Sequence, residues 1–539
     1  MKHQIIHGKI NFSVPSPPPY KRKIWEYQKA NVPRITDELS NLNWFALFEN
    51  KSVDEMVSVF TNYFLSIMSN NIPNKVITVN DKDAPWITPE VKTALRKNYR
   101  AYKKWKIKGK PPEGRIIVQN VQNETHSIIE TAKKSYIDDL SAKMCNPNSS
   151  PNVFWTAFKR LVNNKKLVNI PPLIEGVSTF VTNFQEKADN FNKYIASICR
   201  PINNGSVLPT MIPYTNNILS SFNITNDEII KIISKLNANK AHGVDNISIA
   251  MLKICPKEVS FPLKIIFDEC IHVGNFPLSW KKANVQPVHK KDSRQTKKNY
   301  RPISLLPICG KIFEKFIFDK MYFYLNENSL LSKKQSGFRP GDSTINQLLS
   351  ITNDIYESFE KNAETRAVFL DISKAFDKVW HEGLIHKLKA NGFRDNILDT
   401  LSDFLSNREQ RVVLNGVESS WEPIESGVPQ GSVLGPLLFL IYINDLTDNI
   451  SSNMRLFADD SSLFVRVRDV NESYHKLTTD LETIAAWGIQ WKMEFNPEIS
   501  KQAIEVIFSH KKRSLSIPTF LFKIFLFAEK PIPNTSGYS

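Results

Sequence analysis

Two adjacent carboxylates, Asp459 and Asp460, follow Phe457-Ala458 between two short apolar runs. Residues 454–458 and 462–467 both read as strands, so the acidic pair falls at the turn of a predicted hairpin. Side by side, the two charges repel each other unless a positive group compensates them. Carboxylate oxygens suit a hard divalent cation such as Mg²⁺, and Mg²⁺ commonly brings a phosphate with it. An isolated Asp-Asp turn facing water is the commoner arrangement, so the pair needs partners elsewhere in the chain. Asp371 is the first. Residues 367–372 form a strand pattern ending in this acid, followed by Ser373-Lys374-Ala375-Phe376-Asp377 and a helix through Val379, Leu384 and Leu388. An acid at that point either caps the helix or holds a metal at a sheet edge. Asp371 with Asp459 is the minimum set for holding two Mg²⁺ ions about 4 Å apart during in-line phosphoryl or nucleotidyl transfer. The second partner is the stretch 426–436, with Gly427, Gly431 and Gly435 in nine residues. Glycine lets a backbone come close to a ligand. Pro436 then opens a helix with Leu437, Leu438, Ile441 and Tyr442 on one face. A loop of this kind can hold a nucleotide or template base against the acids.

The elements that position these residues belong to a chain of 539 residues, long enough for two to four domains. Hydrophobic residues make up 41% of it, enough for packed cores, and the net charge of +16 points to a polyanionic partner, nucleic acid first and anionic membrane second. The five cysteines are scattered and odd in number, which excludes a disulfide framework or zinc site and implies reduced thiols in an intracellular protein. Met1-Lys2-His3-Gln4 leads into a polar stretch rather than a secretory leader. The apolar run 520–528 is broken by Lys523 and falls short of the ~20 residues of a spanning helix, so a soluble chain without membrane contact is expected.

Texture divides the chain into 1–30 with its proline-rich stretch 14–19, a helical and basic region 31–200, a loop linker 201–221, a longer-patterned domain 222–510, and a tail 511–539. Within the basic region, Thr88-Pro89-Glu90 opens a helix that carries Lys92, Arg96, Lys97, Arg100, Lys103, Lys104, Lys106 and Lys108, with Tyr99, Tyr102 and Trp105 between them. Such a helix can lie along a nucleic-acid backbone. It can equally be a solvated helix whose aromatic stripe packs on its neighbours.

Residues 369–377 (Phe-Leu-Asp-Ile-Ser-Lys-Ala-Phe-Asp), 427–436 (Gly-Val-Pro-Gln-Gly-Ser-Val-Leu-Gly-Pro) and 457–460 (Phe-Ala-Asp-Asp) resemble, in order and spacing, the A, B and C motifs of reverse transcriptases. The resemblance is to non-LTR retrotransposons, the jockey-like group especially. It extends to 240–245, 299–306 and 335–339 upstream, and downstream to Phe495-Asn496-Pro497 with Lys501, covering roughly 222–510. The fold it implies is α+β: a right-hand polymerase with fingers and an antiparallel palm sheet flanked by helices, preceded by the mostly helical basic region. It implies an RNA-directed DNA polymerase that uses an RNA template, a DNA primer or target and deoxynucleotides, with two Mg²⁺ ions or Mn²⁺ in their place, in cytoplasm and nucleus. Asp371 and Asp459 would be the principal metal ligands, helped by the Ile372 carbonyl, with Asp460 as the second acid of the pair. Phe376 would lie under the incoming sugar and exclude a 2′-hydroxyl, or else pack in the core. Gln430 and Gly431 would contact nucleotide and template. Lys290 or Lys291 and Arg301 would neutralise the triphosphate. Arg339 is a weaker candidate, and Lys501 would protonate the departing pyrophosphate.

The family also carries an N-terminal endonuclease of the apurinic type, and His3 resembles its last catalytic histidine. With the rest of that nuclease not in this sequence, no nicking of target DNA is expected. After 504–509 the expected His-Leu-Gly primer grip and helical thumb do not follow, and a Phe-rich run stands there instead. That departure sets a second reading beside the polymerase: a truncated, inert relic that still binds nucleic acid. A maturase-like or RNA-copying polymerase is a third.

Overall fold

The computed structural model of the chain describes residues 20–79, 84–147, 150–162, 170–176, 179–200, 207–496 and 504–509. They fall into two compact units, Met1–Ile24 with Lys75–Thr182, and Trp25–Asn74 with Asn183–Ser539. In the first, β1 (Tyr20–Trp25) pairs with β2 (Asn74–Val79), and β3 (Leu173–Glu175) pairs antiparallel with β4 (Thr179–Val181). Between them the helix Pro89–Ile107 folds back on the helix Pro112–Cys145. Its start is the expected one: Pro89 takes the first turn and the Thr88 hydroxyl accepts from Val91 N at 3.3 Å. Val91 and Ala94 are buried, and Trp105 closes the hairpin by donating from Nε1 to the Pro111 carbonyl at 2.9 Å.

The second unit does not follow the boundaries expected from composition. From the helices Val32–Ser40, Trp44–Phe48 and Val53–Asn71, Ile35, Trp44, Phe60 and Phe64 join one continuous core with Leu263, Phe267, Phe313, Leu384, Leu438 and Leu463. Asp54 Oδ1 also accepts from Leu278 N at 2.6 Å. The helix Phe184–Ile198 joins the same unit, with Asn192 donating to the Ser420 carbonyl at 2.8 Å and Cys199 O accepting from Ser426 N. Burial of apolar surface, not local charge, sets these boundaries.

Two sheets organise the second unit. The strands are β5 (Lys282–His289), β6 (Tyr300–Leu305), β7 (Glu364–Asp371), β8 (Arg408–Leu414), β9 (Val417–Glu418), β10 (Glu422–Ile424), β11 (Asn453–Phe457), β12 (Asp460–Val467) and β13 (Ile504–Phe508). One sheet has the order β10-β8-β5-β6 with β9 on β8, and its β5–β8 pair is parallel. The other has the order β11-β12-β7-β13 and is antiparallel throughout. Helices cover it, and its central strand β7 is buried along most of its length before ending at the half-buried Asp371. The mixed α+β class expected from sequence is therefore present. All five cysteines are free, Cys145 exposed and the other four buried. Among the described residues no helix is long and apolar enough to cross a membrane.

Candidate active site

The register of the antiparallel sheet brings the three acids together. Asp460 lies directly across from Asp371, and Phe457 pairs with Asp460, so Ala458-Asp459 is a two-residue turn at the same end of the sheet. Ala458 takes φ +55°, a left-handed conformation that a side chain disfavours. Burial raises the Asp459 carboxyl above its ordinary value and the charge of Asp371 adds to this, while Lys290 and Arg301 pull it back. Asp460 is raised by burial, then by Asp459 and Asp371, and Lys290 opposes the shift. Arg301 on β6 and Lys290 on the loop after β5, two of the cations expected to neutralise a triphosphate, thus act on the acids. Lys291 is exposed on that loop, and its charge is not among those that shift the acids.

Asp371 has a partner that sequence reasoning left without a role. Asn496 donates from Nδ2 to Asp371 Oδ2 at 2.9 Å and from its backbone N to the Asp371 carbonyl at 2.8 Å. Ser373 N donates to the Glu494 carbonyl on the other side of the Ile372–Phe495 bridge. Carbonyls alternate along a strand, so that of Ile372 points away from this bridge, toward the β12 side. Lys501 lies outside the described residues.

The acidic turn is held from outside by a second missed group, the segment before Phe338. Gln335 forms a parallel bridge to Leu456, and its Oε1 accepts from Ala458 N at 2.9 Å and from Gly337 N at 2.8 Å. A Cβ on Gly337 would collide with the Ala458 nitrogen, which is why a glycine stands there. Arg339 is engaged elsewhere, donating to the Ser332 carbonyl at 3.0 Å. Phe338 itself projects edge-on to Phe376 with ring centroids 5.8 Å apart, and Phe376 stacks on Phe439 at 4.7 Å. Phe376 is half-buried, so it packs against the core on one side and keeps part of its surface open.

The glycine-rich loop is stapled to β6 and to the turn that follows β7. Val428 N donates to the Phe376 carbonyl at 2.7 Å, and Ser304 N on β6 donates to the Gln430 carbonyl at 2.7 Å. Gly431, at φ +124°, passes so near β6 that an added Cβ would lie 2.5 Å from the Ser304 oxygen. The Gln430 side chain donates from Nε2 to Asp377 Oδ1 at 2.8 Å. Asp377 is pushed up to about 6 by burial, against the opposing effects of Gln430 and Lys374. Glu314 holds the chain just before the helix Gly435–Ile443, its Oε2 accepting from Val433 N at 2.6 Å and Leu434 N at 3.1 Å. The roles of Gln335, Asn496, Asp377 and Glu314 rest on partners more than 40 residues away, which local patterning does not reveal.

Among the described residues no three His, Cys, Asp or Glu side chains are already drawn together as a metal cluster. The donor set nevertheless fits a hard divalent cation: only oxygens, on carboxylates whose mutual repulsion a cation would relieve.

Residues 288–518 match the family described as "Reverse transcriptase (RNA-dependent DNA polymerase)". The chain is 27% identical over 480 residues to the RNA-directed DNA polymerase from mobile element jockey of Drosophila melanogaster, covering 86% of this chain and 52% of that protein. It is 34% identical over 281 residues to the probable RNA-directed DNA polymerase from transposon BS of the same fly, covering 50% and 31% respectively. Against the fly's probable enzyme from transposon X-element the identity is 25% over 506 residues, covering 92% and 54%. The chain thus spans about half the length, or less, of the curated relatives it matches. Taken with the paired acids and the stapled loop, these matches make residues 288–518 a match to the reverse transcriptase domain and the chain similar to the RNA-directed DNA polymerases of jockey and related elements.

Proposed function

We propose that this chain is an RNA-directed DNA polymerase that extends a DNA primer on an RNA template, inside the cell in cytoplasm and nucleus. The observation that carries this reading is the register pairing of Asp371 with Asp460, beside Asp459 and within the field of Lys290 and Arg301. The antiparallel sheet serves as the palm and the β5–β6 sheet as the fingers. Asp371 and Asp459, with the Ile372 carbonyl, would hold two Mg²⁺ ions, or Mn²⁺, and these would supply charge neutralisation and activation of the primer hydroxyl. Asp460 completes the acidic set and tunes its field. Lys290 and Arg301 meet the triphosphate, whose charge their own matches. The open surface of Phe376, backed by Phe439, lies under the sugar and rejects a 2′-hydroxyl by crowding. Asp377 holds the Gln430 side chain, and the loop so fixed presents its backbone to nucleotide and template.

Primer extension on poly(rA)/oligo(dT) with dTTP tests the reading, with Asp459→Asn as the control. The expected outcome is incorporation that the substitution abolishes. Equal incorporation by both chains, or none by either, overturns it and leaves the inert nucleic-acid binder as the better account.

A further inference from the structure

The helix Pro89–Ile107 carries a charge pattern that the polymerase site does not use. Its contact face is set by Val91 and Ala94, both buried, and by Trp105 at the hairpin end. Helical geometry of about 100° per residue then puts Lys92, Arg96, Tyr99, Arg100 and Lys103 on the opposite face, flanked by Lys104 and Lys106. All seven are exposed. Lys97, on the flank, is the cation that finds an acid on the neighbouring helix, pairing with Glu124 at 2.8 Å. Among the described residues, Arg96, Arg100, Lys103, Lys104 and Lys106 have no carboxylate partner, and the helix contains a single acid, Glu90, in its first turn.

Sequence alone left two readings of this helix open, and the structure separates them. An aromatic stripe that merely packs on neighbours would be turned inward with Trp105. Tyr99 is instead 65% exposed, so its ring faces solvent among the cations, whereas Tyr102 turns toward Trp105 with ring centroids 6.0 Å apart. A solvated face would mix signs, since like charges at i,i+4 weaken a helix. Here Arg96, Arg100 and Lys104 succeed one another at that spacing, about 6 Å apart along the axis. Such an arrangement gains when a polyanion supplies the missing negative charge.

We infer that this face is a binding surface for single-stranded nucleic acid, with the cations along the phosphates and Tyr99 as a stacking platform for a base. It lies outside the reverse transcriptase domain and acts by its own contacts. Resting on the proposed function, the strand it takes is single-stranded RNA.

Fluorescence anisotropy of labelled oligo(U) and oligo(dT), titrated with the full chain bearing Asp459→Asn across a range of salt, tests the inference without depending on catalysis. Replacing Arg96, Arg100, Lys103 and Lys104 together by Gln is expected to weaken binding about tenfold or more and to make the salt dependence of log Kd shallower by roughly 2 to 3, since each single-strand phosphate contributes about 0.7. Tyr99→Ala is expected to weaken binding at least fivefold while leaving the slope unchanged. Both losses are expected with oligo(U), and losses confined to oligo(dT) overturn the assignment to RNA. Arg115→Gln/Lys133→Gln/Lys134→Gln/Lys143→Gln on the neighbouring helix removes the same number of charges as a control, and circular dichroism checks that each variant keeps its helices. An unchanged slope for both probes, or an equal change in the control, overturns the inference.

Discussion

At the scale of single residues, two side chains make opposed demands on stability and chemistry. Asp377 is pushed up to about 6 by burial. A carboxyl held above its unfolded value of about 4 keeps in the folded chain a proton that the unfolded chain has already released, so stability falls as pH rises from about 4 to about 6. Asp377→Asn keeps an acceptor for Gln430 and removes the charge. Urea unfolding between pH 4 and pH 8 should therefore show a flatter profile for the variant, with a gain near neutrality of roughly 1 kcal/mol once partial exposure is allowed for. A variant profile parallel to the wild type would show that burial of this carboxyl costs nothing. Phe376 makes its demand on substrate. It rests on Phe439 with ring centroids 4.7 Å apart, and on the proposed function that backing holds its ring against a 2′-hydroxyl. Phe376→Val should cut discrimination against ribonucleotides by about ten- to a hundredfold, measured as the ratio of kcat/KM for dTTP and UTP. No change in that ratio would leave the residue with its packing role alone.

At the scale of elements, the hairpin that carries the acids is strained at Ala458 and restrained by Gln335. Gln335→Ala removes the acceptor from two buried N–H groups, a cost of about 1–3 kcal/mol for each group left unpaired. The turn should then loosen, and kcat should fall about tenfold or more at nearly unchanged KM for dTTP, because small misplacement of reacting groups is expensive. Ala458→Gly, which accepts φ +55° without strain, should instead stabilise the folded chain by up to about 1 kcal/mol, read as an upward shift in Tm. The contrast between these elements and their supports shows what sequence could reveal. The hairpin, the strand ending at Asp371, the Thr88 cap and the Pro436 helix are all local patterns, and each appears within a few residues of its expected place. Gln335, Asn496 and Asp377 stood in plain view as polar residues in recognisable segments. Their roles came from pairings across 123, 125 and 53 residues, which no local period encodes.

At the scale of the whole molecule, the chain is divided by its cores rather than by its charge. Sequence texture groups the helices between Val32 and Asn71 with the basic region that follows them. Their buried stripe, Ile35, Leu39, Trp44, Phe48, Phe60 and Phe64, belongs to the core of the second unit. Residues 75–182 are thereby an insertion between two parts of one folding unit. The two regions should respond to removal in opposite ways. Excising 75–182 and joining the flanks with a flexible Gly/Ser linker removes no member of the shared core, so a cooperative thermal transition and primer extension should persist. Such a chain would lose the basic helix, and its binding of single strands should become markedly less salt-dependent. Excising 32–71 strips large apolar side chains from the core, where a single Phe or Trp truncation costs about 3–5 kcal/mol against a total stability of about 5–15 kcal/mol. That variant should be insoluble or lack a cooperative transition. Soluble, cooperative folding without 32–71, or collapse without 75–182, would show that the boundary follows composition after all.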